Sequence, residues 1–263
     1  MSRCLALHLL GAPRLELDNS PITVDRRKTL ALLVYLGVNR WPLHRDHISA
    51  LLWPDYDQAK AFTNLRHILW EAHQAIGDGW IVASRDTIGL IADQPSERVI
   101  WVDIADFKSL ITAGRAQKNV SLRIPLVADS IRLYRNHFLT GFSLNHSPNF
   151  NEWAFAQSED LRNQLASALT ILINDHCILG QAETAIPYAQ RLITLDPFNE
   201  AAHRQLMQAY IQAGQRNAAL MQYQTYEKLL RKELGVDPQP ETRALYKQIR
   251  KGEIKPSQLS SVE

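Results

Sequence analysis

Cysteine is nearly missing from this chain. Cys4 and Cys177 are the only two in 263 residues. They lie far apart, without a CxxC pair or histidines at metal-ligand spacing, which excludes a disulfide framework and a structural zinc site. Both are expected as buried or half-buried small hydrophobes. Long apolar runs are missing too: none approaches the roughly 18 residues that a membrane span needs. The opening Met1-Ser2-Arg3-Cys4 leads into an alternating stretch and not the apolar core of a signal peptide, so a cytoplasmic location without leader or anchor is expected. The sequence also has no GxxxxGK[ST], GxGxxG, GxSxG or HExxH motif, and its carboxylates are scattered over helix faces. Nucleotide binding, nucleophile-elbow chemistry and metalloprotease chemistry lose their usual supports. No cofactor, no metal and no enzymatic activity are expected. An excess of one charge is missing as well: the net charge is +2, and residues 1–95 hold ten Lys/Arg against ten Asp/Glu. Any nucleic-acid reading must rest on where the charges sit.

What is present is a change of period. Residues 4–24 alternate, with Leu5, Leu7 and Leu9 in one run, Leu15 and Leu17 in the next, and Ile22 and Val24 after the turn at Asp18-Asn19-Ser20-Pro21. This predicts short antiparallel strands. From Arg26 to Asn39 the spacing becomes helical, through Leu30, Leu33, Val34 and Gly37. Pro42 stops that helix, and a short second one is expected over Arg45–Leu52. A third is expected from Asp57, a good cap residue, to Ile76, with Gly77 as its stop. Its apolar stripe is Ala61, Leu65, Ile68, Leu69, Ala72 and Ile76, and the opposite face carries Lys60, Thr63, His67, Trp70 and Gln74. A hairpin follows, with its tip at Ser84-Arg85-Asp86, and residues 99–102 add a further strand.

After Asp103 the sequence reads as helical, with segments expected at about 103–114, 124–138, 149–179, 182–195, 199–213, 216–234 and 240–250. Gly180-Gln181 and Gly214-Gln215 are 34 residues apart, and Ala185/Ala219 and Ile186/Leu220 keep that offset. This spacing is the tetratricopeptide pattern, in which small residues let paired helices approach closely. Tyr188, Tyr210, Tyr223 and Tyr226 either line a partner groove or, the preferred reading, fill gaps between helices. The fold class is therefore an α+β winged helix-turn-helix followed by an all-α, tetratricopeptide-like repeat. The expected divisions are 1–95, 96–251 and a disordered polar tail at 252–263.

Particular segments point further. They include Arg26-Arg27-Lys28-Thr29-Leu30, Leu51-Leu52-Trp53-Pro54-Asp55, Asn64-Leu65-Arg66, Trp101-Val102-Asp103, Gly141-Phe142-Ser143-Leu144, Ser147-Pro148-Asn149-Phe150 with Glu152-Trp153, Leu195-Asp196-Pro197 and Glu233-Leu234-Gly235-Val236-Asp237-Pro238. In this order and spacing, over about residues 4–250, the chain resembles the SARP-like regulators. These join an OmpR-type winged helix to a bacterial transcriptional activator domain.

The resemblance implies that the third helix enters a major groove of double-stranded promoter DNA while the wing touches the neighbouring groove or backbone. It also implies tandem or homodimeric binding to direct repeats, contact with RNA polymerase, and activation of transcription. It leaves open a longer regulator continuing past Glu263. The residues it marks for DNA are Lys60, Thr63, Asn64, Arg66 and His67 on the third helix, Arg26, Arg27 and Lys28 at the start of the first, and Arg85 at the wing tip. Arginine suits guanine, asparagine suits adenine, and lysine and threonine suit phosphates. For the basic run a solvated face is the competing reading. Trp70 stands out as an indole on the polar face, expected to pack within the protein rather than on DNA. The end of the third helix departs from the family's arginines, with Glu71, His73 and Gln74 in their place. The competing function is therefore a protein-interaction adaptor whose winged helix has weak or no DNA affinity.

Overall fold

The computed structural model describes residues 3–91 and 97–254. The expected junction at Pro95-Ser96 and the tail from Lys255 lie outside them. The chain forms two compact units. One holds Met1–Leu110 with Arg132–Leu161, and the other holds Ile111–Ile131 with Arg162–Glu263.

In the first unit the alternating residues form β1 (Arg3–His8), β2 (Arg14–Leu17) and β3 (Ser20–Ile22). These strands are antiparallel, with Leu5 opposite Leu17 and Leu7 opposite Leu15. Asp18 and Asn19 take positive φ at the tight β2–β3 turn, a conformation these short polar residues tolerate. Then come α1 (Arg27–Asn39), β4 (Leu43–His44), α2 (Arg45–Leu52), α3 (Gln58–Ile76), β5 (Ile81–Ala83), β6 (Thr87–Leu90) and β7 (Arg98–Val102). The sheets have the orders β3-β2-β1-β7 and β4-β6-β5. β7 pairs parallel with β1, a long-range pairing that alternation alone does not reveal. Three helices between an N-terminal sheet and a terminal hairpin make the expected winged helix. Gly37 is required inside α1, because a Cβ there would stand 2.4 Å from Cδ2 of Leu7. The glycine lets the helix lie against β1.

The same unit continues through Arg132–Leu161, and this stretch is fastened to the helix-turn-helix. The amides of Leu139 and Thr140 donate to the carbonyls of Leu9 and Gly11, both at 3.0 Å. Ser147 Oγ donates to the Leu52 carbonyl (2.7 Å) and Asn149 Nδ2 to that of Ala50 (3.0 Å). These carbonyls end α2 and have no partner within the helix, so the two side chains act as its C-terminal cap. Trp153 meets Tyr35 of α1 edge-on at 4.6 Å and packs on Phe138 and Phe150. Asp103, 1% exposed, accepts the amides of Leu9 and Leu10 at 2.8 and 2.9 Å and faces Arg135 at 3.3 Å. The segments Trp101-Val102-Asp103, Gly141–Leu144 and Ser147–Trp153 thus act structurally, tying this stretch to β1 and to the helix-turn-helix.

α4 (Asp103–Ala116), α5 (Val120–Leu133) and α6 (Pro148–Ile178) follow. α5 starts before the expected residue 124, because Asn119 Oδ1 caps the amide of Ser121 (2.9 Å). Pro125 is accommodated within the helix rather than opening it. α5 also ends before 138, where Phe138 instead bridges to Leu10 and Gly11.

The second unit ends in α7 (Ala182–Leu195), α8 (Glu200–Gln212), α9 (Arg216–Glu233) and α10 (Pro240–Lys251), close to the expected bounds. The 34-residue repeat is visible in the backbone. Gly180 and Gly214 have φ of 70° and 73°, and each donates its amide to a carbonyl three residues back (3.1 and 3.0 Å). Ala185, Ala189, Ala202, Ala209 and Ala219 are fully buried where the helices meet. Tyr223 and Tyr226 are buried as gap fillers, Tyr188 stacks on His176, and Tyr210 is half-buried.

Candidate nucleic-acid interface

α3 is positioned by its apolar stripe. Ala61, Leu65, Ile68, Leu69, Ala72 and Ile76 are all buried, as the spacing predicts. Asp57 caps the start, its Oδ1 accepting the Lys60 amide at 2.9 Å. The residues between are thereby turned outward. Lys60, Thr63, Arg66, His67, Trp70 and Gln74 are exposed or partly so, and Asn64 is half-buried. From Gln58 to Trp70 the helix carries no carboxylate. Lys60 Nζ lies 4.1 Å over the Tyr56 ring, and Thr63 Oγ1 donates to the Ala59 carbonyl (2.9 Å). Arg66 has no side-chain partner among the described residues.

The wing brings a second cation forward. Its tip is ordered by Ser84, whose Oγ accepts the amides of Asp86 (3.2 Å) and Thr87 (2.9 Å). Arg45, at the start of α2, donates from Nε to the Ser84 carbonyl (3.0 Å). Arg85 stands exposed at that tip, also without a side-chain partner among the described residues. Sequence reasoning missed Arg45, because its partner lies 39 residues away and no local pattern marks it.

The basic opening of α1 behaves differently. Arg27 donates from Nε to the Ser143 carbonyl (3.0 Å), with its guanidinium 4.7 Å over the Phe142 ring. Lys28 donates to the Leu52 carbonyl and sits 4.9 Å over the Trp53 ring. Removal from water holds the Lys28 ammonium below its usual range, opposed by the charge of Asp55. Arg26 Nε pairs with Glu71 at 2.8 Å. Glu71 is a hub: its i,i+4 partner His67 is a local pattern, while its partners Arg26 and Thr29 are marked by none. It also accepts from buried Thr29 Oγ1 (2.6 Å) and faces His67 Nε2 at 3.3 Å. The structure therefore gathers Arg26, Arg27, Lys28, Asn64 and His67 around one hollow, together with Trp53 and Tyr56. Lys60, Thr63 and Arg66 lie further out on α3, and Arg85 lies on the wing.

Trp70 departs from its expected place. It is not packed into the interior: it is 59% exposed and lies parallel to the His67 ring, 6.2 Å away. Helical spacing places it correctly on the outward face, and its own protein leaves most of that indole uncovered.

Among the described residues no helix is long and apolar enough to cross a membrane, and no three His, Cys, Asp or Glu side chains gather as a metal site. The family described as "Bacterial transcriptional activator domain" matches residues 102–250. The chain is 25% identical over 247 residues to the transcriptional regulatory protein MoaR1 of Mycobacterium tuberculosis, covering 92% of this chain and 78% of that protein. It is 24% identical over 257 residues to the transcriptional regulatory protein EmbR of the same species, covering 92% of this chain and 62% of EmbR. A solved structure of M. tuberculosis EmbR in complex with a low affinity phosphopeptide superposes with a TM-score of 0.74 at 21% identity, covering 98% of this chain and 69% of that one. At that identity the superposition speaks for the fold. The chain belongs to the bacterial transcriptional activator domain family, whose members regulate transcription and are not enzymes.

Proposed function

We propose that this protein reads double-stranded promoter DNA in the cytoplasm and activates transcription there. The reading surface lies within residues 1–95. Lys60, Thr63, Asn64, Arg66 and His67 face the major groove, and Arg85 meets the neighbouring backbone or minor groove. Arg26 adds charge at the edge. Arg27 and Lys28 serve DNA binding by fastening α1 to its own unit rather than by neutralising phosphates. The helical domain, residues 96–251, supplies contact with a second copy on adjacent repeats and with RNA polymerase.

The observation that carries this reading is the outward row of α3. It runs three turns without a carboxylate, and its Arg66, like Arg85 on the wing, has no ion-pair partner among the described residues. A cation held out in this way suits a phosphate or a guanine edge. The test is binding of the full chain to the promoter fragment of its own operon. Arg66→Ala and Asn64→Ala are each expected to weaken binding about tenfold, since one good base contact is worth about 1–3 kcal/mol. Unchanged binding in both variants would contradict the assignment.

A second reading, a protein-interaction adaptor, is favoured by one feature. Glu71 engages two of the basic candidates, Arg26 and His67. Absence of duplex binding at low salt would decide for it.

A further inference from the structure

Trp70 is the largest exposed apolar surface on α3, and the fold does little to hide it. Its indole is 59% exposed. Its ring neighbour is His67, parallel within 8° at 6.2 Å. A hollow beside it is bordered by Val24 and Ala75 as well as by Asp25, Arg26, Glu71 and Gln74, a mixed apolar and polar lining. Most of that side chain is left to solvent, on the same outward face of α3 as Lys60, Thr63 and His67.

The ring beside the indole, His67, is tied to the core. Glu71 Oε1 stands 3.3 Å from His67 Nε2, and its Oε2 accepts from Thr29 Oγ1, which is wholly buried in α1. The line Thr29–Glu71–His67 runs from the core to the helix surface, and the Trp70 ring lies parallel to its last member. Glu71, which stands where a phosphate-binding arginine is expected, thus holds the ring beside Trp70 as well as lowering the charge.

We propose that Trp70 is a specificity-determining residue, its indole lying against the apolar surface of a DNA groove, with Glu71 as the positioning residue that acts through His67. The surface it meets is the 5-methyl group of thymine. It is an apolar patch within a polar groove, and it suits an indole with Arg66 and His67 one turn back on the same helix. This inference rests on the DNA-reading function proposed above.

The experiment uses the full chain and a duplex enriched by it from a random-sequence library. Trp70→Ala is expected to weaken binding to that duplex about tenfold, a 1.4 kcal/mol loss, and to leave binding to unselected duplex unchanged. Trp70→Phe is expected to restore most of the loss. Glu71→Ala is expected to relax the enriched sequence at the same positions as Trp70→Ala, a readout that lost stability alone would not move. Replacing thymine by uracil at those positions, with the unaltered protein, removes the methyl group alone. A loss matching that of Trp70→Ala is expected, and retained affinity would overturn the methyl contact. If the unaltered protein selects a sequence that Trp70→Ala binds equally well, the inference fails and DNA reading stands. If the unaltered protein enriches nothing and binds no duplex, both fail.

Discussion

His203 has both ring nitrogens committed. It is 3% exposed and stacks on the Tyr226 ring at 4.0 Å. Its Nε2 donates to the Pro197 carbonyl at 2.9 Å, while Nδ1 accepts from the Gln222 amide at 2.7 Å. That pattern fits the neutral ring. Burial pushes its pKa below 6.5, opposed by the Pro197 carbonyl and the charges of Glu200 and Asp196. A histidine held neutral contributes stability above its unfolded pKa and loses it as pH falls through about 6.5 toward the lower folded value. Thermal melts are expected to show the second unit less stable at pH 5.5 than at pH 7.5. His203→Gln is expected to narrow that gap, and an equal gap in the variant would count against this assignment. Asp103 gives a second residue-scale prediction. Asp103→Ala leaves the amides of Leu9 and Leu10 buried without an acceptor, at about 2–4 kcal/mol in denaturant unfolding. Asp103→Asn keeps an acceptor and is expected to cost less. None of these partnerships is legible in the sequence. Periodicity places a side chain on a face, but Glu71 meets Thr29 across 42 residues and Arg27 meets Ser143 across 116.

Elements are more legible. The change from period 2 to 3.6 near Arg26 marks the strand-to-helix switch, and α2, α3 and α7 to α10 lie within about a residue of their expected bounds. Their ends carry local signals, such as Asp57 before α3, Asn199 capping α8 and Gly252 closing α10. α5 is the exception, because Pro125 resembles a helix start while the cap at Asn119 lies one turn earlier. The parallel β7–β1 pairing and the capping of α2 by Ser147 and Asn149 depend on contacts about 95 residues apart or more, and no window along the chain contains both partners. They carry a prediction. Trp153→Ala is expected to destabilise the first unit by about 2 kcal/mol or more through the lost packing on Tyr35, Phe138 and Phe150. Residues 1–103 alone are expected to unfold at lower denaturant than the full chain, because the α2 cap and the Trp153 contacts are removed. Equal midpoints would show that the tie is not stabilising.

At the scale of the molecule, the 34-residue offset reveals the repeat, and near-neutral composition gives no sign of the proposed DNA-reading surface. A chain of net charge +2 binds DNA only if its cations are sorted. Here Glu71 is drawn onto Arg26, Thr29 and His67, so that Arg26 lies at the edge already paired, while Lys60, Arg66 and Arg85 are left facing out. The number of phosphates met is therefore expected to be small but measurable. Each phosphate met contributes about 0.9 to the slope of log affinity against log salt. The most direct test is a salt series of duplex binding by the full chain, its Arg85→Ala variant and its Arg27→Ala variant. Affinity is predicted to fall linearly with salt, with a slope reduced by about 0.9 in Arg85→Ala. The slope is predicted to stay unchanged in Arg27→Ala, whose guanidinium is held by Ser143 and Phe142. No duplex binding at low salt, or a slope untouched by Arg85→Ala, would contradict DNA reading by these sorted cations.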